Sequence, residues 1–301
     1  MGRLTAIVLG SAGGGGFPQW NCRCPVCQLA WAGDTRVKAR TQASLAISGD
    51  GERWVLLNAT PDLRTQLLAT PSLQPRAHRR SSPIAAVILT GAEVDQVAGL
   101  LTLRERQAFT VLATGDTLTA LEANPIFGVL ATGVVNRQVV ALDHRFSLPS
   151  GLEAELFAVP GKVALYLEGE DPALSAETGA NVGVEITCGS HRLAYVPGAA
   201  AVTPALRERL ARADVILFDA TLFTDDEMIA TGTGEKTGRR MGHMPLDGAD
   251  GTLAALAGLG GRRILIHINN TNPILIEGSP QRRKVEAAGF EVAEDGMEIV
   301  L

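Results

Sequence analysis

Short apolar runs broken by Gly, Pro and Asp set the rhythm of this chain. Ala6–Leu9, Trp54–Leu57, Ala85–Leu89, Leu193–Val196, Val215–Phe218 and Ile264–Ile266 are each three to five residues, most of them rich in Val, Ile and Leu. Runs this short and this uninterrupted predict strands buried on both faces. Val182–Cys188 alternates in the manner of a further core strand. Helical periodicity appears at Ala98–Arg106, with Leu100, Leu101 and Leu103 inward. It appears again at Pro204–Ala213, with Arg207, Glu208 and Arg209 outward, and at Leu253–Leu259. Strands and helices mixed along one chain predict sheets with helices packed outside them. Two polar stretches, Pro71–Pro83 with Arg76, His78, Arg79 and Arg80, and Gly169–Ala180 with Glu168, Glu170 and Asp171, are expected as solvated surface loops. Strand patterns resume after both, so neither is a linker, and one domain over residues 1–301 is expected.

The 301 residues are 46% hydrophobic and 20% charged, enough apolar material for a large core. A net charge of -5 with no basic patch argues against nucleic-acid binding. No apolar run approaches the roughly 18 residues a membrane span needs. The start of the chain passes directly into the strand-like Leu4–Gly10 without a secretory signal pattern, so a cytoplasmic protein is expected. In a reducing compartment, three of the four cysteines falling within six residues suggests metal binding or reactivity, not disulfides.

Six segments carry candidate chemistry. The run from Ser11 to Trp20 follows a strand and contains Gly13 to Gly16 in succession. It is either a tight loop against another segment or a loop offering N–H groups to an anion, with Gly14 and Gly15 as candidate substrate contacts. It is not a dinucleotide fingerprint, because no helix follows the glycines. Cys22, Cys24 and Cys27 are spaced so that three thiolates can converge on a tetrahedral Zn²⁺. Cys188, inside the alternating strand, reads as an inert core residue. Thr90 to Leu100 joins a strand end to a helix start, where Glu93 and Asp95 either face a site or serve the helix N-terminus, with Thr90 or Asp95 as cap. Asp219, ending the run Leu217-Phe-Asp, is a second strand-end carboxylate. Gly242-His243-Met-Pro and Ile266-His267-Ile-Asn269-Asn270-Thr-Asn-Pro273 contribute two histidines. One histidine at a strand end is more often structural than a ligand, but three such strand ends shift the balance toward a site. His78, His144 and His191 lie in polar contexts and read as solvated.

The stretch Val8 to Cys27 resembles the N-terminal signature of the PQQ (pyrroloquinoline quinone) biosynthesis protein B family. Leu56–Asp62, Thr102–Glu105, Val159–Lys162, Tyr195–Gly198, Phe218–Thr221, Lys236–Met244 and His267–Pro273 continue the resemblance in the family's order, nearly to the C-terminus. The resemblance implies a metallo-β-lactamase αββα sandwich of the α/β (α+β) class. Of that superfamily's His-x-His-x-Asp-His hallmark, Gly91-Ala-Glu93-Val-Asp95-Gln96 keeps only the Asp. Gln96 stands where the family usually has His, and a further superfamily metal Asp aligns with Gly198. Glutamine is a poor transition-metal ligand, so a dinuclear hydrolytic centre is not expected. A single Fe²⁺ held by some of Asp95, Asp219, His243 and His267 is, with Asp95 and His267 as the principal ligands, Asp219 as ligand or orienter, and His243 as ligand or proton carrier. The catalytic candidates are then Asp95, His243, His267, Asp219 and Glu93.

The family's suggested activity is hydroxylation of the tyrosine of a Glu–Tyr unit derived from a precursor peptide. The alternative is a carrier for PQQ or its precursor towards the periplasm, which would make Lys162, Lys236, Arg239 and Arg240 the important residues. Asn269 completes the candidate substrate contacts, and the family implies a homodimer. In related superfamily phosphodiesterases a His completes a three-cysteine structural zinc site. Here Asn270 occupies that place, and water or a local residue is left for the fourth ligand.

Overall fold

A computed structural model describes residues 3–170 and 173–301; Asp171 lies outside the described residues. The first sheet is built from β1 (Thr5–Gly10), β2 (Ser44–Ser48), β3 (Trp54–Leu57), β4 (Ile84–Ile88), β5 (Phe109–Ala113) and β6 (Val135–Val139). The second is built from β7 (Arg145–Ser147), β8 (Glu153–Ala158), β9 (Val182–Cys188), β10 (His191–Val196), β11 (Val215–Asp219), β12 (Arg262–Ile266) and β13 (Phe290–Val292). The last strand, β14 (Glu298–Val300), returns to the edge of the first, giving orders β14-β1-β2-β3-β4-β5-β6 and β13-β12-β11-β10-β9-β8-β7. Each sheet is part antiparallel and part parallel, with β3 to β6 parallel in the first and β10 to β13 parallel in the second.

The two sheets face each other across one apolar layer. Val55, Leu57 and Ile88 from the first meet Val184, Ile186, Leu217 and Ile264 from the second. Alternate residues point outward under helices. Leu56, Val87 and Val111 pack with Leu63, Leu100, Leu118 and Leu121. Ile216, Phe218 and Leu265 pack with Leu206, Leu210, Leu256 and Val285. Central strands buried on both faces explain the unbroken apolar runs in the sequence. The expected αββα sandwich is the architecture observed, and the six strand runs fall within two residues of β1, β3, β4, β10, β11 and β12. Cys188 is buried at the end of β9 in the layer between the sheets.

Three expectations are corrected. Ala98–Arg106 is not an α-helix: an α-turn at Val94–Val97 gives way to a 3-10 segment at Ala98–Leu103. The cause is a close backbone approach. The Ala59 N–H donates to the Gln96 carbonyl (2.8 Å), and the Gly99 N–H donates to the Ala59 carbonyl (2.8 Å), which diverts the helical hydrogen-bond ladder. A Cβ at Gly99 would sit 2.2 Å from the Thr60 carbonyl, so only glycine permits the approach. Pro204–Leu210 is helical, capped by Thr203, but Arg209 does not point into solvent: its guanidinium stacks 4.6 Å from the Phe157 ring centre. Glu168 is not a solvated loop residue either. Its side chain is 7% exposed and pairs with Lys162 at 2.8 Å and Arg240 at 3.1 Å. His78, His144 and His191 are exposed as expected.

Candidate metal centre

The C-terminal ends of parallel strands converge on one edge of the sandwich, where open α/β sheets place their ligands. After β4, the chain reaches Glu93, the residue that caps Val94–Val97, and this short turn carries Asp95. Neither Thr90 nor Asp95 is the cap. β11 ends in Asp219, β12 is followed by His267, and the turn at Arg239–Met241 leads through Gly242 to His243. The glycine loop after β1 lies beside them.

These side chains touch. His267 Nε2 lies 3.0 Å from Asp95 Oδ2, and His243 Nδ1 lies 2.7 Å from Asp219 Oδ2. The two imidazoles stack with centres 5.2 Å apart. Thr221, buried two residues beyond Asp219, joins all three groups. Its Oγ1 is 2.6 Å from Asp219 Oδ1, 3.0 Å from His243 Nδ1 and 2.9 Å from His267 Nδ1. Asp219 Oδ2 also accepts from the Ala199 N–H at 3.0 Å. Asp219, His243 and His267 each offer a ligand atom within 4.8 Å of the others. Two imidazoles and a carboxylate, with a second carboxylate adjacent, form a donor set that suits one transition-metal ion such as ferrous iron.

Electrostatics hold the two carboxylates in the ionised form a metal ion takes, while drawing His267 toward the protonated form that a metal ion would have to displace. Burial opposes ionisation of Asp95, but the hydrogen bond and charge of His267, with His243 behind it, outweigh burial and hold Asp95 below 3.8. Burial likewise opposes ionisation of Asp219, and His243, His267 and Thr221 reverse the effect. For His267 burial lowers the pKa, while Asp95, Asp219 and Glu93 raise it above 6.5. His267 also adopts φ +59°, rare for a residue other than glycine. The conformation is pinned by its neighbours: Ile268 N–H donates to the Ser11 carbonyl (3.0 Å) and Asn269 N–H to the Thr221 carbonyl (3.0 Å).

Most N–H groups of the glycine loop are spent inside the protein. The N–H groups of Gly13, Gly15 and Gly16 already donate to the Ile268 carbonyl, Gln42 Oε1 and the Gly13 carbonyl. What the loop provides is proximity, since a Cβ at Gly14 would lie 3.5 Å from Asp95 Oδ2. The positions of the missing superfamily ligands are also clear. A Cβ at Gly198 would lie 3.5 Å from His243 Cε1, so this position borders the cluster without a carboxylate. Gln96 Oε1 accepts from the Glu93 N–H at 3.0 Å, a capping contact that occupies its carbonyl.

A cavity of about 620 Å³ opens above this cluster, with Gly14, Gly15, Asn181, Lys236 and Asn269 in its lining and Val94, Leu165 and Tyr166 as an apolar wall. Lys162 lines it but is neutralised, 2.9 Å from Glu93 and 2.8 Å from Glu168. Glu93 also accepts from the Leu165 N–H at 3.1 Å, so it braces the wall. Lys236 lies exposed on the lining without an ion pair among the described residues. Arg239 stands apart from the lining and pairs with Asp250 at 2.5 Å. The Asn269 amide is held by Thr271 Oγ1 at 2.6 Å.

The second cluster is Cys22, Cys24 and Cys27, whose sulfurs lie within 4.8 Å of one another. Burial pushes the Cys24 thiol up to about 12, against hydrogen bonding from Cys27, and raises Cys27 as well. A cation among the sulfurs would offset the two buried thiolates of Cys24 and Cys27 and the half-buried one of Cys22, so the residues fit the expected structural Zn²⁺. Sequence reasoning missed the roles of Thr221, Glu168 and buried Glu227. Thr221, two residues past a strand-end Asp, carried the one available signal.

Fold and site together define a β-lactamase superfamily protein, and residues 53–268 match the family model described as "Beta-lactamase superfamily domain". The chain is 58% identical over 299 residues to coenzyme PQQ synthesis protein B of Methylobacterium nodulans, covering 99% of this chain and 100% of that protein. It is 54% identical to the Gluconacetobacter diazotrophicus protein of the same name, covering 98% of this chain and 99% of that one. The zinc-bound PqqB crystal structure from Methylobacterium extorquens superposes with a TM-score of 0.96 at 54% identity, over 98% of this chain and 99% of that one. A diphosphatase from the PhnP family, at 21% identity and TM-score 0.70 over 99% and 97% of the two chains, shares the fold. This chain belongs to the coenzyme PQQ synthesis protein B family.

Proposed function

We propose that this protein acts in PQQ biosynthesis as a mononuclear-metal hydroxylase of a tyrosine-containing Glu–Tyr precursor. The observation that carries the reading is the meeting of His243, His267 and Asp95 in the lining of one cavity, with Asp219 buried in contact behind the histidines. A ferrous ion held there would supply activation of O₂. The protein's own residues do the rest. Thr221 fixes both imidazoles, and Asp219 keeps His243 oriented. Val94, Leu165 and Tyr166 offer an apolar wall for an aromatic ring, and Lys236 offers a cation for a substrate carboxylate. One oxygen atom enters the aryl C–H, and the other leaves as water at the expense of an external two-electron reductant.

The test is anaerobic loading with Fe(II), then exposure to Glu–Tyr, O₂ and ascorbate. The expected product is heavier by one oxygen atom and is absent with His267→Ala. Loaded protein that leaves the dipeptide unchanged sinks the reading. A second reading, carriage of PQQ or its precursor, is favoured by Gln96 and Gly198, which leave the metal cluster short of ligands while the cavity and Lys236 remain. Tight PQQ binding by metal-free protein that is lost in Lys236→Ala supports carriage. A cytoplasmic homodimer remains part of the proposal, and among the described residues no helix is long and apolar enough to cross a membrane.

A further inference from the structure

We infer, on the hydroxylase reading, that Asn181 recognises the phenolic hydroxyl of the substrate, accepting its hydrogen bond through Oδ1 and so distinguishing a tyrosyl ring from a phenyl ring. Asn181 stands at the entry to β9 and lines the cavity. Its two amide hydrogens are both spent: Nδ2 donates to the Val159 carbonyl at 3.2 Å and to the Gly198 carbonyl at 3.1 Å. Backbone carbonyls only accept, so the carboxamide has one orientation, with Oδ1 turned away from both. Among the described residues no protein group donates to that oxygen.

Glycine at two positions makes the seat. A Cβ at Gly161 would lie 2.2 Å from Asn181 Nδ2, so only glycine lets the carboxamide in. A Cβ at Gly198 would lie 3.6 Å from Asn181 Oδ1 and 3.5 Å from His243 Cε1. Glycine there leaves open ground between the amide oxygen and the metal cluster. A substrate hydroxyl about 1 Å nearer to Oδ1 than that point stands at ordinary O–H···O distance.

Most other side-chain oxygens of the lining already have partners. Gln42 Oε1 accepts from the Gly15 N–H, and Gln96 Oε1 accepts from the Glu93 N–H. Glu93 and Glu168 pair with Lys162, and Asp95 faces His267. Asn269 is the remaining carboxamide, and its Nδ2 donates to Thr271 Oγ1 at 2.6 Å and Met228 Sδ at 3.2 Å. A hydroxyl can donate as well as accept, so the Asn269 amide is free to turn over where the Asn181 amide is not. Held at Asn181, the substrate hydroxyl fixes which edge of the ring faces His243. A phenyl ring in the same place leaves Oδ1 covered and without a donor, and that difference is the source of discrimination.

The experiment titrates the full chain, loaded with Fe(II) under argon so that no turnover occurs, with Glu–Tyr and with Glu–Phe by calorimetry. Native protein is expected to bind Glu–Tyr about tenfold or more tightly than Glu–Phe. Asn181→Ala removes the acceptor and is expected to bind the two peptides alike. Gly198→Ala keeps every hydrogen bond around Asn181 and places its methyl at ordinary contact distance on a backbone that alanine adopts, so it folds as the native chain does. It is expected to lose the preference by filling the ground the hydroxyl takes. Equal affinity of native protein for the two peptides overturns the assignment of Asn181 and leaves the hydroxylase reading standing. A preference that persists in Gly198→Ala or in folded Asn181→Ala also overturns it, because the hydroxyl is then recognised elsewhere. A preference abolished in both variants, with no hydroxylated product on admission of air and ascorbate to native protein, supports Asn181 and counts against the hydroxylase reading alone. Binding of neither peptide by native protein overturns both.

Discussion

Replacing Glu227 with Gln should change how stability depends on pH in a calculable way. Glu227 is 5% exposed and stands at the start of the short helix Glu227–Ala230. Burial pushes its pKa from 4.5 up to about 7, against the hydrogen bonds it accepts from Thr271 Oγ1 at 2.5 Å and the Phe223 N–H at 2.7 Å. Between those two values the folded chain retains a proton that the unfolded chain has released. Stability therefore falls as pH rises from 4.5 to 7 and levels off above. A displacement from 4.5 to about 7, at 1.36 kcal/mol per pH unit, corresponds to about 3 kcal/mol. Glutamine carries no proton to lose. The difference in unfolding free energy, Glu227→Gln minus native, should climb by about 3 kcal/mol across that window, and every titration common to both chains cancels. Urea unfolding at constant ionic strength, followed by the fluorescence of buried Trp54, measures it. A flat difference curve, or one that descends with pH, refutes the assignment of a buried, proton-holding carboxyl.

Two further predictions concern the centre itself. Thr221→Val removes one hydroxyl that serves Asp219, His243 and His267. It should cost about 2–3 kcal/mol of stability and about tenfold or more in affinity for the active-site metal, with Thr221→Ser close to native. Calorimetric metal titration and urea unfolding read both effects, and a Thr221→Val protein matching native in each contradicts the hub role. Gln96→His trades the capping contact with the Glu93 N–H for an imidazole at the cavity lining. Fe(II) affinity should rise about tenfold at a stability cost of about 1 kcal/mol, and unchanged affinity in anaerobic titration means position 96 does not reach the metal.

The central strands were legible because burial on both faces writes itself as continuous Val, Ile and Leu, as in β3 and β11. The edge strand β6, with Asn136, Gln138 and Val139 exposed, carries no such signature. The helix expected at Ala98–Arg106 failed because the Gly99 approach to Ala59 overrides local periodicity. At the site, carboxylates and histidines at strand ends were readable as candidates. What joins and braces them was not, because Thr221 meets His243 22 residues away and Glu168 meets Arg240 72 residues away. Nothing local in Glu168 distinguishes it from its solvated neighbour Glu170.

Asp95 follows a strand of the first sheet, and His267 follows a strand of the second, yet their side chains meet at 3.0 Å across 172 residues of sequence. The centre is thus a clasp between two halves of the molecule. The second half carries Asp219, His243 and His267, and the first adds Asp95 only once the sheets have docked. An ion that bridges the pair binds only the closed sandwich, so each increment of occupancy draws the ensemble away from states in which the layers part. Metal supply would then govern how long the molecule survives in its closed form, in addition to what it does there.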